Sequence, residues 1–218
     1  MGYSQVTWKC FNKYLRESGL LNAEQLPLFR VVDDAEGYYG KEMLELGCQT
    51  FRGNIRKKIN SGLYNHNCKD YFQSIGIKCL SIDIKGCRGS MVVDLSKPMH
   101  TYFYNRFDII TNSGTTEHVS ELAGQYSVFE NIHKCSNVNG VMMHFVPVYG
   151  VERKPHGFFN YDDSFFEILA KLNNYEIVSI EKYDRKNGDL YWGVCLKKIR
   201  GREFTTDKEQ FYKGIKGV

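Results

Sequence analysis

From residue 41 onward, seven short apolar runs, at 43–46, 78–84, 91–95, 107–111, 141–148, 175–180 and 190–196, alternate with amphipathic stretches. Runs this short and this apolar suit strands buried on both faces, and strands separated by helix-length segments pair in parallel. Residues 67–75 and 119–132 read as two of the intervening helices, the second presenting Val119, Leu122, Tyr126, Phe129 and Ile132 on one face. The last two runs break the rhythm. Only Asp184-Arg185-Lys186-Asn187-Gly188-Asp189 separates them, too little for a crossover helix, and Asn-Gly favours a hairpin turn. The expected fold is α/β and doubly wound, a mainly parallel seven-stranded sheet with an antiparallel C-terminal hairpin strand.

A chain of 218 residues that is 42% hydrophobic can build one core. Residues 1–40 read as a helical extension or lid: Trp8, Phe11, Tyr14 and Leu15 recur at helical spacing before Gly19, and a second helix starts at Asn22 with Gln25 as capping partner and Leu26, Leu28 and Phe29 as apolar face. The main domain covers 41–200. Within 197–218, seven Lys/Arg stand against three Asp/Glu, so 201–218 reads as a basic tail, more simply a solvated terminus than a nucleic-acid contact. Neither a membrane-length apolar run nor a signal-peptide pattern occurs, which points to a soluble cytoplasmic chain with no membrane partner. The seven scattered cysteines include no Cys-x-x-Cys pair, so they read as small core residues in a reducing compartment, without structural zinc or a disulfide framework.

The sequence Met-Leu-Glu-Leu-Gly-Cys-Gln-Thr-Phe-Arg-Gly at 43–53 reads as a strand handing over to a ligand-binding turn, where Gly47, lacking a Cβ, lets backbone amides approach a small molecule. Asp83 closes the next strand, about 35 residues after the glycine turn, at the edge of the sheet where ligands bind. Glu117 and His118 follow Thr111-Asn112-Ser113-Gly114 at the carboxyl end of the fourth strand, and His118 is a candidate general base there. The aromatic-rich connection Pro155-His156-Gly157-Phe158-Phe159-Asn160-Tyr161 is expected to line an acceptor pocket, with His156, Asn160 or Tyr161 orienting a hydroxyl. No metal is assigned: Glu117, His118 and a later histidine, His144 or His156, offer three ligands at most, and Gly114 stands where a second carboxylate would make a hard-ion site.

Four ordered motifs resemble the class I S-adenosylmethionine-dependent methyltransferases across roughly 41–198: Glu45-Leu46-Gly47-Cys48-Gln49, Ser81-Ile82-Asp83, Val93-Asp94-Leu95, and Phe107-Asp108-Ile109-Ile110 followed by Glu117-His118-Val119. The resemblance implies a Rossmann-like fold with S-adenosylmethionine as cofactor. It implies that Glu45, Gly47, Cys48 and Gln49 hold the amino-acid end, Asp83 the ribose, Asp94 the adenine amine, Ile84 and Leu95 the base, with Asn112 and Ser113 completing the site. Glu117, His118 and His156 would be catalytic, and Trp8, Tyr14 and Phe29 would form a lid. Gln49 and Phe51 depart from the family's glycines. The expected activity is methyl transfer to an oxygen or nitrogen of a small-molecule or sugar-like acceptor. Two rivals stay open: a non-catalytic interaction or RNA-associated protein, and a nicotinamide-dependent oxidoreductase, which lacks the full Gly-x-Gly-x-x-Gly.

Overall fold

The structure is a computed structural model that describes residues 3–20, 40–52, 67–74, 76–150, 156–184 and 189–217. Helix α1 (Gln5–Glu17) starts where Ser4 accepts the Thr7 amide and ends at Ser18, after which Gly19 takes a φ of +66°. Strand β1 (Glu42–Leu46), helix α2 (Cys68–Ser74), and strands β2 (Lys78–Asp83), β3 (Met91–Val92) and β4 (Phe107–Ser113) follow. Next come α3 (Leu122–Cys135), β5 (Ser136–Pro147), β6 (Phe159–Tyr161), α4 (Phe165–Asn173), β7 (Tyr175–Asp184) and β8 (Leu190–Lys198). Helix α5 (Lys208–Tyr212) and strand β9 (Ile215–Gly217) close the description. The expected second helix, with Asn22 and Phe29, and the Asn187-Gly188 turn lie outside the described residues.

The sheet runs β3-β2-β1-β4-β5-β8-β7, with β8 antiparallel to both neighbours and every other pairing parallel. Pairing of Asp184 with Leu190 makes β7 and β8 a hairpin, as their short connection requires. Along β1 the side chains alternate between two cores. Met43 joins Ile109, Val141 and Phe145 in packing under α1 and α2, while Leu44 and Leu46 join Ile110, Met142 and Val146 under α3 and α4.

Three expectations change. First, Trp8 and Tyr14, expected in a lid, are buried against the sheet, and Trp8 stacks on Phe11 with ring centroids 5.6 Å apart. Second, the C-terminal segment is not a solvated tail. Phe204, Phe211 and Ile215 are buried in the main core, and β9 pairs antiparallel with β6, because the apolar side chains at these positions decide its path over the surrounding lysines. Third, β3 is confined to Met91–Val92, and the helix expected from 119 begins at Leu122, since a 3-10 turn, Thr116–His118, intervenes. All seven cysteines carry free thiols, and among the described residues no helix is long and apolar enough to cross a membrane.

Candidate active site

In an open α/β sheet, a crevice forms at the carboxyl ends of the strands where neighbouring connections leave toward opposite faces. Here β1 and β4 are those neighbours, and a cavity of about 390 Å³ opens beside their ends. Gly47, Asp83, Ile84, Asp94 and Leu95 line it together with Thr115 and His118. The turn after β1 is held by Gly47 donating to Ile82 O at 2.8 Å. Its φ of +72° and a Cβ position only 2.5 Å from Thr115 Oγ1 make glycine necessary there.

Asp83 has both carboxylate oxygens engaged, Oδ2 by the Cys48 amide at 3.0 Å and Oδ1 by the Lys85 amide at 2.8 Å. These bonds fix a half-exposed carboxylate at the cavity wall. Asp94 is more exposed, and the hydroxyl and amide of Ser96, which bond its Oδ1, hold its carboxyl below the usual range. Ile84, 66% exposed, offers an apolar face at the mouth, where a planar ring can cover it.

The remaining cofactor candidates sit elsewhere. Glu45 is fully buried beneath the turn, flanked in register by Ser81 and Thr111, and accepts the Gln49 amide at 3.4 Å. Burial pushes its carboxyl up to about 8, against the pull of Ser81 and the Gln49 amide. Gln49 is also buried and donates to Leu46 O at 3.2 Å, so it braces the turn from within, while Cys48 contributes its amide to Asp83. Asn112 and Ser113 do not line the large cavity; they line a separate cavity of about 20 Å³ under α1, with Tyr3 and Thr111. Both end β4, whereas Thr115 and His118, which line the large cavity, belong to the turn that follows the strand.

That turn is positioned by a buried hydrogen-bond network. Asn112 Oδ1 accepts the amides of Thr115 and Thr116, and its Nδ2 donates to Thr116 Oγ1 at 2.9 Å. Thr116 Oγ1 bonds the Tyr161 hydroxyl, which also donates to Gln125 Oε1 at 2.9 Å, and Gln125 Nε2 returns to Thr116 O. Tyr161 is therefore a core brace and no acceptor contact. From the far side, the amide of Phe158 donates to Glu117 O at 2.7 Å. Gly157, whose Cβ would stand 2.7 Å from the same oxygen, permits the approach.

The result brings Glu117, His118 and His156 together. Their ligand-capable atoms lie within 4.8 Å of one another, and the two imidazole rings meet edge to face at 4.8 Å. Glu117 is completely buried, His118 half-buried, and His156 more open. Burial, then the neighbouring His156, holds the His118 imidazole below its ordinary value, so it is neutral at pH 7. His144 is not of this group: it stacks on Phe129 and bonds Asn112. Sequence reading missed Thr115, Ser96, Lys97, Ser120 and Glu121, which line the cavity from turns that carry no motif.

No family model matches the chain, and no curated protein sequence matches it. Solved structures do match. The 1,6-didemethyltoxoflavin N1-methyltransferase of Burkholderia thailandensis, bound to 1,6-didemethyltoxoflavin and S-adenosylhomocysteine, superposes with a TM-score of 0.52 at 14% identity, over 90% of this chain and 82% of its own. The fold is that of the class I methyltransferases. The N-methyltransferase NodS of Bradyrhizobium japonicum, in complex with S-adenosylhomocysteine, gives 0.51 at 12% identity over 90% and 89%. A Methanosarcina mazei S-adenosylmethionine-dependent methyltransferase gives 0.51 at 12% over 78% and 99%. In this methyltransferase fold the cavity beside Gly47 occupies the crevice expected at the ends of β1 and β4.

Proposed function

We propose that this chain binds S-adenosylmethionine in the large cavity and transfers its sulfonium methyl group to an oxygen or nitrogen of a small-molecule acceptor. One observation carries the reading: the Gly47 turn, Asp83 and Asp94, far apart in sequence, line a single cavity that His118 also lines. In this reading Asp83 accepts from the ribose hydroxyls, Asp94 from the adenine amine, and Ile84 and Leu95 contact the base. The acceptor lies beside Glu117, His118 and His156. As the nucleophile's bond to the methyl carbon forms, the carbon–sulfur bond breaks and S-adenosylhomocysteine leaves. Most of the rate gain in such an in-line displacement comes from holding the nucleophile about 3 Å from the carbon in a site shielded from water. That two similar structures hold S-adenosylhomocysteine supports the cofactor, and their N-methyltransferase chemistry keeps nitrogen acceptors in play.

Calorimetric titration with S-adenosylhomocysteine tests the proposal, with reduced nicotinamide dinucleotide as control. Binding of the first ligand alone is expected. Absence of binding at about 1 mM, a free energy weaker than about 4 kcal/mol, refutes the cofactor assignment. A second reading, a fold member without catalysis, draws on the crowding over Gly47, where Thr115 Oγ1 and Gln49 Nε2 stand 2.5 and 3.0 Å from the Cβ position. The same null titration would favour it.

A further inference from the structure

We propose that Glu117, His118 and His156 form a three-ligand site for a divalent transition-metal ion beside the large cavity, which His118 also lines. The two segments that supply these donors are far apart in sequence, and the fold spends specific features on joining them. Phe158 donates its amide to Glu117 O, Gly157 removes the Cβ that would block the contact, and Asn112 and Gln125 lock the Thr116–His118 turn from below. The same contacts hold the segment bearing His156 against the turn, and His156, with 43% of its side chain exposed, is the donor open to solvent through which an ion can enter.

The distances suit an ion better than a direct pairing. His156 Nε2 stands 3.9 Å from Glu117 Oε1, beyond hydrogen-bond length, and His118 Nε2 has no hydrogen-bond partner despite its burial. Donors bound at about 2.0–2.2 Å to a common ion sit roughly 3 to 3.5 Å apart, so a small inward swing of His156 completes the geometry. Two imidazoles and one carboxylate select zinc, cobalt, manganese or iron(II) over calcium or magnesium, which prefer all-oxygen shells.

Three protein ligands leave coordination positions open toward the cavity. A hydroxyl oxygen of the acceptor fits such a position, which narrows the acceptor class to molecules carrying a hydroxyl group beside the methylated atom or at it. That role rests on the methyltransferase reading above; binding of the ion does not.

The test titrates chelator-treated full-length protein with zinc chloride by calorimetry, and with cobalt chloride by visible absorption, which reports coordination directly. One ion per chain is expected, with His118→Ala and His156→Ala each weakening binding by about 10-fold or more. The folding of each variant is checked by far-ultraviolet circular dichroism and a cooperative thermal transition. Absence of metal binding in a wild-type protein that binds S-adenosylhomocysteine overturns the ion and leaves the methyltransferase reading standing. Equal metal binding by wild type and both variants also overturns the site. Metal binding that depends on both histidines, in protein that ignores S-adenosylhomocysteine, upholds the site and removes the methyltransferase reading.

Discussion

Replacing Glu45 with glutamine should change how stability responds to pH. The folded carboxyl sits at about 8 because it is wholly buried, against an ordinary value of 4.5. Between those limits the folded state keeps a proton that the unfolded chain gives up, so the wild type loses stability as pH rises. At about 1.4 kcal/mol per unit of displacement, the loss between pH 5 and pH 8 comes to about 3 kcal/mol. Glutamine keeps an oxygen for the Gln49 amide and has nothing to ionise. The stability difference between Glu45→Gln and wild type, from urea unfolding at pH 5 and pH 8, should therefore shift by about 3 kcal/mol in favour of the variant at the higher pH. A difference that stays constant across this range refutes the assignment of a buried, protonated Glu45.

His133 and His144 act with opposite sign. Burial lowers them from 6.5 to about 4 and about 3, so each costs stability as pH falls below 6.5, about 2 kcal/mol apiece by pH 5, and His133→Gln should flatten its share in the same unfolding series. Gly47→Ala should destabilise by more than about 1 kcal/mol, because a side chain there meets both a left-handed backbone and Thr115; a melting temperature equal to wild type would contradict the packing. Asp83→Ala should weaken S-adenosylhomocysteine binding by about 1.5 to 3 kcal/mol, and an unchanged dissociation constant would remove Asp83 from the cofactor site.

The sheet was legible in the sequence because buried strands are short and uniformly apolar, and because the Asp184–Asp189 connection cannot support a parallel crossover. That Gly47, Asp83 and Asp94 line one cavity was legible because each sits at or just past a strand end, the one place where the order of elements fixes position in space. Asn112 and Ser113 were placed by their position at the end of β4, but the residues after that strand that line the large cavity, Thr115 and His118, come from the turn beyond it. The C-terminal segment misled through composition. Seven basic residues masked Phe204, Phe211 and Ile215, whose spacing fits neither a helix nor a strand period because they fall on three separate local structures. That His156 and not His144 joins Glu117 could not be read from spacing, since it depends on a missing Cβ at Gly157 and one amide of Phe158.

The pairing of β9 with β6 has a practical reach. Tyr161 is hydrogen-bonded on one side to the turn bearing Glu117 and aligned on the other with Ile215, while Gly214 O receives the amide of Asp162. Substitutions at Phe211 or Ile215, which a plain mutational scan would file as remote, disturb the strand that follows His156, so a loss of turnover there would report on alignment.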